Sequence, residues 1–241
     1  MKTPLLTILI VLFLASLACN AVPLAVGGDP TEQPTSVLFQ DDFSDPSSGW
    51  DVVTVSDGET NYANGVYRIF VNTTRTDIWA NPGLSFTDVR VEVDATKVGG
   101  PDDNDFGVIC RSMSASQFYF FYISSDGYYA IGKLKDGEQE LIGMESLQPS
   151  ESINQGDATN HIRADCIGDR LALYVNGEKI AEVQDSEYTS GDVGLIAGSY
   201  DTPGVDIHFD NFVVLRPETV PTTPIPESPV PGSPVPASPT P

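Results

Sequence analysis

The chain has 241 residues, of which 34 are Asp or Glu and 12 are Lys or Arg, so its formal net charge at pH 7 is -22. This balance argues against nucleic acid as a partner, because neutralising phosphates needs clusters of basic side chains, and it disfavours direct docking on anionic lipid. A hydrophobic fraction of 40%, with 11 Phe and 9 Tyr, is sufficient for a folded core.

The N-terminus has the features of a secretory signal. Lys2 precedes an apolar run that ends at Ala18 and is too short to span a bilayer as a mature helix. Residues 16–19 (SLAC) resemble a bacterial lipobox, which predicts that residues 1–18 are a lipoprotein signal peptide and that Cys19 carries diacylglycerol. A conventional cleaved signal with an incidental cysteine is the alternative. We therefore expect an exported protein, lipid-anchored at the bacterial cell surface or envelope.

Residues 19–36 are a predicted flexible tether, because they contain Pro and Gly and have no sustained periodicity. Residues 37–216 show the period-two alternation of β-strands: in residues 88–98 (DVRVEVDATKV), apolar residues alternate with polar and charged ones. Asn176-Gly177 and Asp126-Gly127 each separate two β-rich runs and suit tight hairpin turns. No segment shows a convincing helical period. The sequence therefore predicts an all-β fold, a two-sheet antiparallel sandwich.

The C-terminal segment 217–241 is rich in proline and is predicted to be disordered. Proline fixes φ and lacks an N–H, so this tail should populate polyproline II rather than join a sheet. A rigid spacer and a solvated tail without a partner are both open interpretations.

The two cysteines that remain after Cys19 lie inside predicted strands. Outside the cytoplasm, Cys110 and Cys166 are expected to form a disulfide. Two buried free thiols are the alternative, and a zinc site is not expected because two cysteines alone do not make a zinc ligand set.

The order of motifs along residues 38–215 resembles a concanavalin-like jelly roll. The motifs are DDFSDPSSGW (41–50), LALYVNGEKIAEV (171–183) and VDIHFDNFVV (205–214). The chain is similar to laminin-G-like lectin domains and to the bacterial 3-keto-disaccharide hydrolase family. The latter resemblance implies that an enzyme is possible, but it identifies no catalytic residue in this chain.

Glycanases of the jelly-roll type carry three carboxylates in the pattern Glu-x-Asp-x-x-Glu. The nearest match here is Glu92, Asp94 and Lys97, so a lysine stands where the third carboxylate is needed. Glycanase chemistry of this kind is therefore not expected.

One structural calcium ion is implied by the resemblance, since this fold often holds one where the first and last strands meet. Asp210 and Gly65 match an aspartate and a glycine carbonyl that bind calcium in the glycanase branch, and Asp42 lies in the right region. This set is incomplete, because calcium takes six to eight oxygen ligands. The acidic residues 102–105 (DDND) are a second candidate.

A glycan or another extracellular polymer is the leading predicted partner. Both alternating sets in residues 118–123 (FYFFYI) are apolar, which indicates that both faces of this strand are covered and suggests a groove on the concave sheet. Aromatic faces and charged groups recognise sugars. The expected ligand contacts are Trp79, Arg90, Glu92, Asp94, Arg111, Tyr119 and Arg163.

The sequence thus favours a non-catalytic β-sandwich that binds carbohydrate or another polymer. A keto-glycoside hydrolase or lyase, and a structural or protein-interaction module, are the alternatives.

Overall fold

The computed structural model describes residues 36–217. The predicted signal peptide 1–18, the lipidation residue Cys19, nearly all of the tether 19–36 and nearly all of the tail 217–241 lie outside the described residues. Within the described range no helix is long and apolar enough to cross a membrane.

The described residues form sixteen β-strands, which confirms the predicted all-β class. In chain order these are β1 (Val37–Asp41), β2 (Val53–Val55), β3 (Gly58–Ala63), β4 (Val66–Val71), β5 (Thr76–Ala80), β6 (Val89–Gly99), β7 (Asn104–Ser114), β8 (Gln117–Ile123), β9 (Tyr128–Lys135), β10 (Glu138–Leu141), β11 (Gln148–Pro149), β12 (Thr159–Ile167), β13 (Arg170–Val175), β14 (Glu178–Gln184), β15 (Asp192–Ser199) and β16 (Val205–Leu215).

The strands form two antiparallel sheets. Sheet A has the order β14-β13-β12-β6-β16-β4-β3-β2, and β1 also pairs with β16. Sheet B has the order β10-β9-β8-β7-β15-β5, and β11 also pairs with β9. Strands that are distant in sequence therefore lie side by side, as in a jelly roll.

The main core lies between the two sheets and follows the alternation seen in the sequence. On β6, Val89, Val91, Val93 and Ala95 are at most 1% exposed, whereas the residues between them are only partly buried and face away from the core. Burial of apolar surface of this kind is the main favourable contribution to folding.

A disulfide joins the two sheets. Cys110 on β7 of sheet B is bonded to Cys166 on β12 of sheet A, and both residues are fully buried. The predicted disulfide is confirmed.

The opening and closing motifs of the domain pack against each other. The ring of Trp50 lies 5.4 Å from that of Phe43 and 4.8 Å from that of Phe212, measured between centroids. The Trp50 indole donates a hydrogen bond of 3.0 Å to Asp41, and Asp41 pairs with Phe212 in the β1–β16 ladder. These contacts hold the end of the chain's last strand beside its first strand.

Sheet B curls so strongly that its two end strands meet across its outer face. Gln139 on β10 donates a hydrogen bond to Asp77 on β5, although these strands lie at opposite ends of the sheet. The space beneath is filled by a second apolar cluster, made of Ile109, Phe118, Phe120, Tyr122, Leu134 and Ile196 with Trp79 and Leu141 against it. Both faces of the strand FYFFYI are thus covered, as predicted.

Candidate functional site

A band of polar side chains covers the outer face of sheet A. The β6–β12 register sets four outward pairs directly opposite each other, and we call these residues the polar platform: Arg90 and Asp165, Glu92 and Arg163, Asp94 and His161, Thr96 and Thr159. Four of the predicted ligand residues lie here, namely Arg90, Glu92, Asp94 and Arg163. Directly opposite side chains of this kind interact across a sheet.

The arginines of the platform are held by a common carboxylate. Arg163 contacts both oxygens of Asp165, at 2.8 and 2.6 Å, and Arg90 donates to the same side chain at 3.1 Å. The Arg163 guanidinium also lies 4.0 Å above the ring centre of Tyr174 on β13. Two-point contacts and stacking fix the orientation of a guanidinium, so this end of the platform is rigid.

His161 bridges two acids of the platform. Its Nδ1 lies 2.7 Å from Asp94 and its Nε2 lies 3.5 Å from Glu92. The hydrogen bond with Glu92, together with Asp94, raises the pKa of His161 to about 9, and the pKa of Glu92 is lowered in turn by His161. The imidazole is therefore a cation at neutral pH. Sequence reasoning did not assign His161 to the site.

We expect His161 to make stability depend on pH in the alkaline range. Its folded-state pKa of about 9 exceeds the unfolded value of about 6.5, so its contribution is complete below about pH 6.5 and is lost as the pH rises through about 9. Denaturant unfolding at pH 6.5, 8 and 10 measures this effect. The wild type should have a higher free energy of unfolding than His161→Gln at pH 6.5, and this difference should shrink as the pH rises.

His208 is the matched control for this measurement, because burial lowers its pKa, which moves its titration away from the alkaline range. The loss of stability at alkaline pH should be the same in His208→Gln as in the wild type. An NMR titration midpoint near 6.5 for His161 would contradict the assignment.

A β-bulge in β16 opens a pocket beside the platform. Asp210 pairs with Asp94 and Val213 pairs with Glu92, so Asn211 and Phe212 together lie opposite Val93, one residue more than a regular ladder. Asn211 takes a left-handed conformation (φ 55°), which asparagine tolerates better than most residues. Its side chain donates a 3.0 Å hydrogen bond to Asp94. Bulges are frequent next to functional sites.

The pocket has a volume of about 300 Å³. Its lining residues are Val66, Asp94, Thr96, Val98, Thr159, His208, Asp210 and Asn211. Acidic, amide, hydroxyl and imidazole groups thus converge on a small concave space with two valines beside them, a composition suited to a polar, uncharged ligand.

The predicted calcium residues lie around the same bulge but do not form a complete ligand set. Asp210 is opposite Asp94 and follows Phe209, which pairs with Tyr67 close to Gly65. The Asp42 carboxylate accepts two hydrogen bonds from Ser44, and Asp210 accepts one from the Asn211 backbone. Among residues 36–217 no three acidic, histidine or cysteine side chains are arranged to hold a metal. Calcium at this position stays a prediction.

The acidic loop 102–105 does not present its side chains to one point. Lys97, which is 5% exposed, pairs with Asp102 at 2.5 Å. The Asn104 side chain bonds to Pro101 and Ser125 instead. Asp105 is buried on β7.

Three of the predicted ligand residues lie away from the platform. Tyr119 is fully buried between the sheets, where its hydroxyl donates to Asp185 at 2.5 Å. Arg111 is 1% exposed and donates to the carbonyls of Gly168 and Tyr188. These placements correct the expectation that Tyr119 and Arg111 contact a ligand, since neither is reachable from solvent. Trp79 lies on sheet B, with its ring centroid 5.4 Å from that of Phe118. The expectation that the charged residues and these aromatic residues line one site is therefore corrected as well.

No protein-family model matches the chain, and no curated protein matches it. Solved structures do resemble it. The carbohydrate-binding module CBM66 from Bacillus subtilis has a TM-score of 0.58 and 18% identity over 70% of this chain and 96% of that one. A galectin-like protein of unknown function from Bacillus subtilis has a TM-score of 0.53 and 11% identity, covering 75% and 96%.

The catalytic domain of an endo-1,3-beta-glucanase (laminarinase) from Thermotoga petrophila RKU-1 has a TM-score of 0.54 and 10% identity, covering 77% of this chain and 99% of that one. One fold thus carries a binding module and a catalytic domain, and fold alone does not decide function. At these identities the similarity establishes the fold: this chain is an antiparallel jelly-roll sandwich of the concanavalin-like type.

Proposed function

We propose that the domain binds carbohydrate without modifying it, with the pocket at the β16 bulge as the binding site. The observation that carries this proposal is the convergence of Asp94, Asp210, His208 and Asn211 on one solvent-facing pocket. That a carbohydrate-binding module and a glucanase domain share the fold supports carbohydrate as the ligand class.

The pocket chemistry matches a sugar unit. Carboxylate and amide oxygens accept hydrogen bonds from hydroxyl groups, and bonds to a charged acceptor are stronger than neutral ones. Val66 and Val98 offer apolar surface to the C–H groups of a pyranose or furanose ring. The platform extends from the pocket along β6 and β12, so a longer chain could continue over Glu92 and Arg163.

Binding is favoured over catalysis because the acids of this site are already engaged. Asp94 accepts from both His161 and Asn211, and His161 is held as a cation. General acid–base catalysis needs a group that gains or loses a proton near the working pH. Lys97, at the third position of the glycanase-like pattern, is buried and paired with Asp102 and Asp157.

A glycan array followed by calorimetry on the best ligand tests this proposal. Asp94→Asn and Asp210→Asn should each weaken binding at least about tenfold, the effect of losing a charge-assisted hydrogen bond. Glu138→Gln, the same chemical change at an exposed site on β10 of sheet B, should leave affinity unchanged. Binding by the wild type that both pocket variants retain would contradict the proposal.

The same proteins distinguish the other functions. Turnover of a 3-keto-disaccharide by the wild type, lost in Asp94→Asn, would replace binding with keto-glycoside hydrolase or lyase activity. Neither glycan binding nor turnover would leave a structural or protein-interaction role.

The proposal includes display at the cell envelope through a lipid on Cys19. Its support is the sequence of residues 1–36, in which a lipobox-like segment precedes a linker rich in Pro and Gly. Such a linker would separate the sandwich from the membrane surface, where a polymer is accessible.

A further inference from the structure

Two aspartates share one space on the outer face of sheet B, away from the proposed glycan site. Strands β5, β15 and β7 are adjacent, and their register places Asp77, Gly198 and Asp105 in one row. The aspartates flank the glycine from its two neighbouring strands.

Gly198 leaves open the space into which both carboxylates point. A Cβ atom built on this glycine would lie 2.1 Å from Asp77 Oδ1 and 2.5 Å from Asp105 Oδ1. Its backbone is not left-handed, so the requirement for glycine here is one of space. A side chain at this position would collide with both carboxylates, so the glycine allows the two acidic groups to lie together above it.

Asp105 is buried with the Tyr200 hydroxyl as a hydrogen-bond partner but, among the residues that the structure describes, with no basic partner. It is 3% exposed, and its Oδ1 has no hydrogen-bond partner. The Asp77 side chain uses its other oxygen, Oδ2, for Tyr122 and Gln139. Within residues 36–217, no Lys, Arg or His pairs with either aspartate. Burying an unpaired charge is strongly unfavourable.

The charged side chains close to this pair of aspartates are themselves acidic. Burial and the neighbouring Asp77 raise the pKa of Asp105 well above its usual value, and burial likewise raises that of Asp77. The Tyr200 hydroxyl lies beside Asp105. Tyr200 also lines a cavity of about 260 Å³ together with Asp103 and Asp126, so an acidic opening adjoins the pair.

We propose that a divalent metal cation binds between Asp77 and Asp105 in the space above Gly198, reached through the cavity beside Tyr200. The donors are carboxylate oxygens and a phenol, with no cysteine or histidine, which favours a hard ion such as Ca²⁺ over Zn²⁺. No third acidic side chain joins the pair in the described part of the chain, so Tyr200, carbonyls or water complete the ligand set.

Binding at this point would stabilise the curled form of sheet B. Asp77 belongs to the end strand β5 and contacts Gln139 of the opposite end strand, while Asp105 belongs to the central strand β7. An ion between the aspartates links three parts of the sheet. This inference is independent of the proposed glycan site.

Terbium luminescence tests the site directly, because Tb³⁺ takes the same oxygen ligands as Ca²⁺ and nearby tyrosines sensitise its emission. The wild type should give a saturable signal that Ca²⁺ displaces, and Ca²⁺ should raise the unfolding temperature relative to EDTA. Asp77→Asn, Asp105→Asn and Gly198→Ala should each weaken binding at least tenfold. Gly198→Ala places a methyl group against both carboxylates without changing any charge.

Glu178→Gln, at an exposed position on β14 of sheet A, is the charge-matched control and should bind as the wild type does. Circular dichroism confirms that each variant is folded. No saturable signal in the wild type would overturn the proposal and leave a shared proton as the link between the aspartates. A signal retained in both Asp77→Asn and Asp105→Asn would overturn it too, by placing the ion elsewhere.

Discussion

Replacing Cys110 and Cys166 together by alanine should lower the free energy of unfolding by about 4 kcal/mol. The two residues are 56 positions apart, and closing a loop of that length removes a large conformational entropy from the unfolded chain. The bond also connects β7 of sheet B to β12 of sheet A at a fully buried position. Urea unfolding of the double variant and of the oxidised wild type measures the difference.

Cys19 supplies the matched control, because it is the third cysteine of the chain and belongs to the segment that precedes the sandwich in the sequence. Cys19→Ala should unfold as the wild type does, and a reductant should destabilise the wild type without affecting the double variant. A loss below about 1 kcal/mol would show that the bond does not constrain the unfolded chain as expected.

Replacing Arg111 by leucine should cost about 3–5 kcal/mol of stability, because each buried acceptor left without its donor costs about 1–3 kcal/mol. The guanidinium is 1% exposed and donates to Gly168 and Tyr188 carbonyls at 2.8 and 2.9 Å. It also donates to the Thr87 carbonyl and pairs with Asp88, both at 3.1 Å. Leucine leaves all of these acceptors without their donor.

The control for Arg111→Leu is Arg75→Leu, because Arg75 is 80% exposed and its partner Asp201 is 76% exposed. An exposed pair contributes little, so this variant should lose only a small fraction of the stability lost in Arg111→Leu. Equal losses measured by urea unfolding would contradict the structural role of Arg111.

The platform could be predicted from the sequence because side chains alternate strictly along a strand. Alternation on β6 places Arg90, Glu92 and Asp94 on one face, and the same period on β12 places Arg163 outward. His161 follows the same period. Its bridge between Asp94 and Glu92 could not be predicted, because that contact depends on the register between β6 and β12.

Alternation fails as a guide where both faces of a strand are covered. On β8 the period separates Phe118 and Phe120 from Tyr119 and Phe121, but it does not say which set faces the main core. The structure places Tyr119 and Phe121 there and the other two in the second cluster. The curl that covers the second face depends on a contact between Asp77 on β5 and Gln139 on β10. These strands are far apart in the sequence, so no local pattern encodes the contact.

Arg111 shows a second reason for failure, a change in backbone geometry. It takes a left-handed conformation (φ 53°) where the β7–β8 register shifts after Cys110, so the alternation that predicts its direction ends there. The Asp77–Asp105 pair likewise depends on the order β5-β15-β7, which joins distant segments of the chain.

The central claim is that carbohydrate binds on sheet A at the β16 bulge, and NMR chemical-shift mapping tests it most directly. Titrating the best array ligand into labelled protein should shift backbone amides around Asp94, His208 and Asn211 and along the neighbouring part of β12. Shifts confined to the region of Trp79 on sheet B, or no shift at saturating ligand, would contradict the claim.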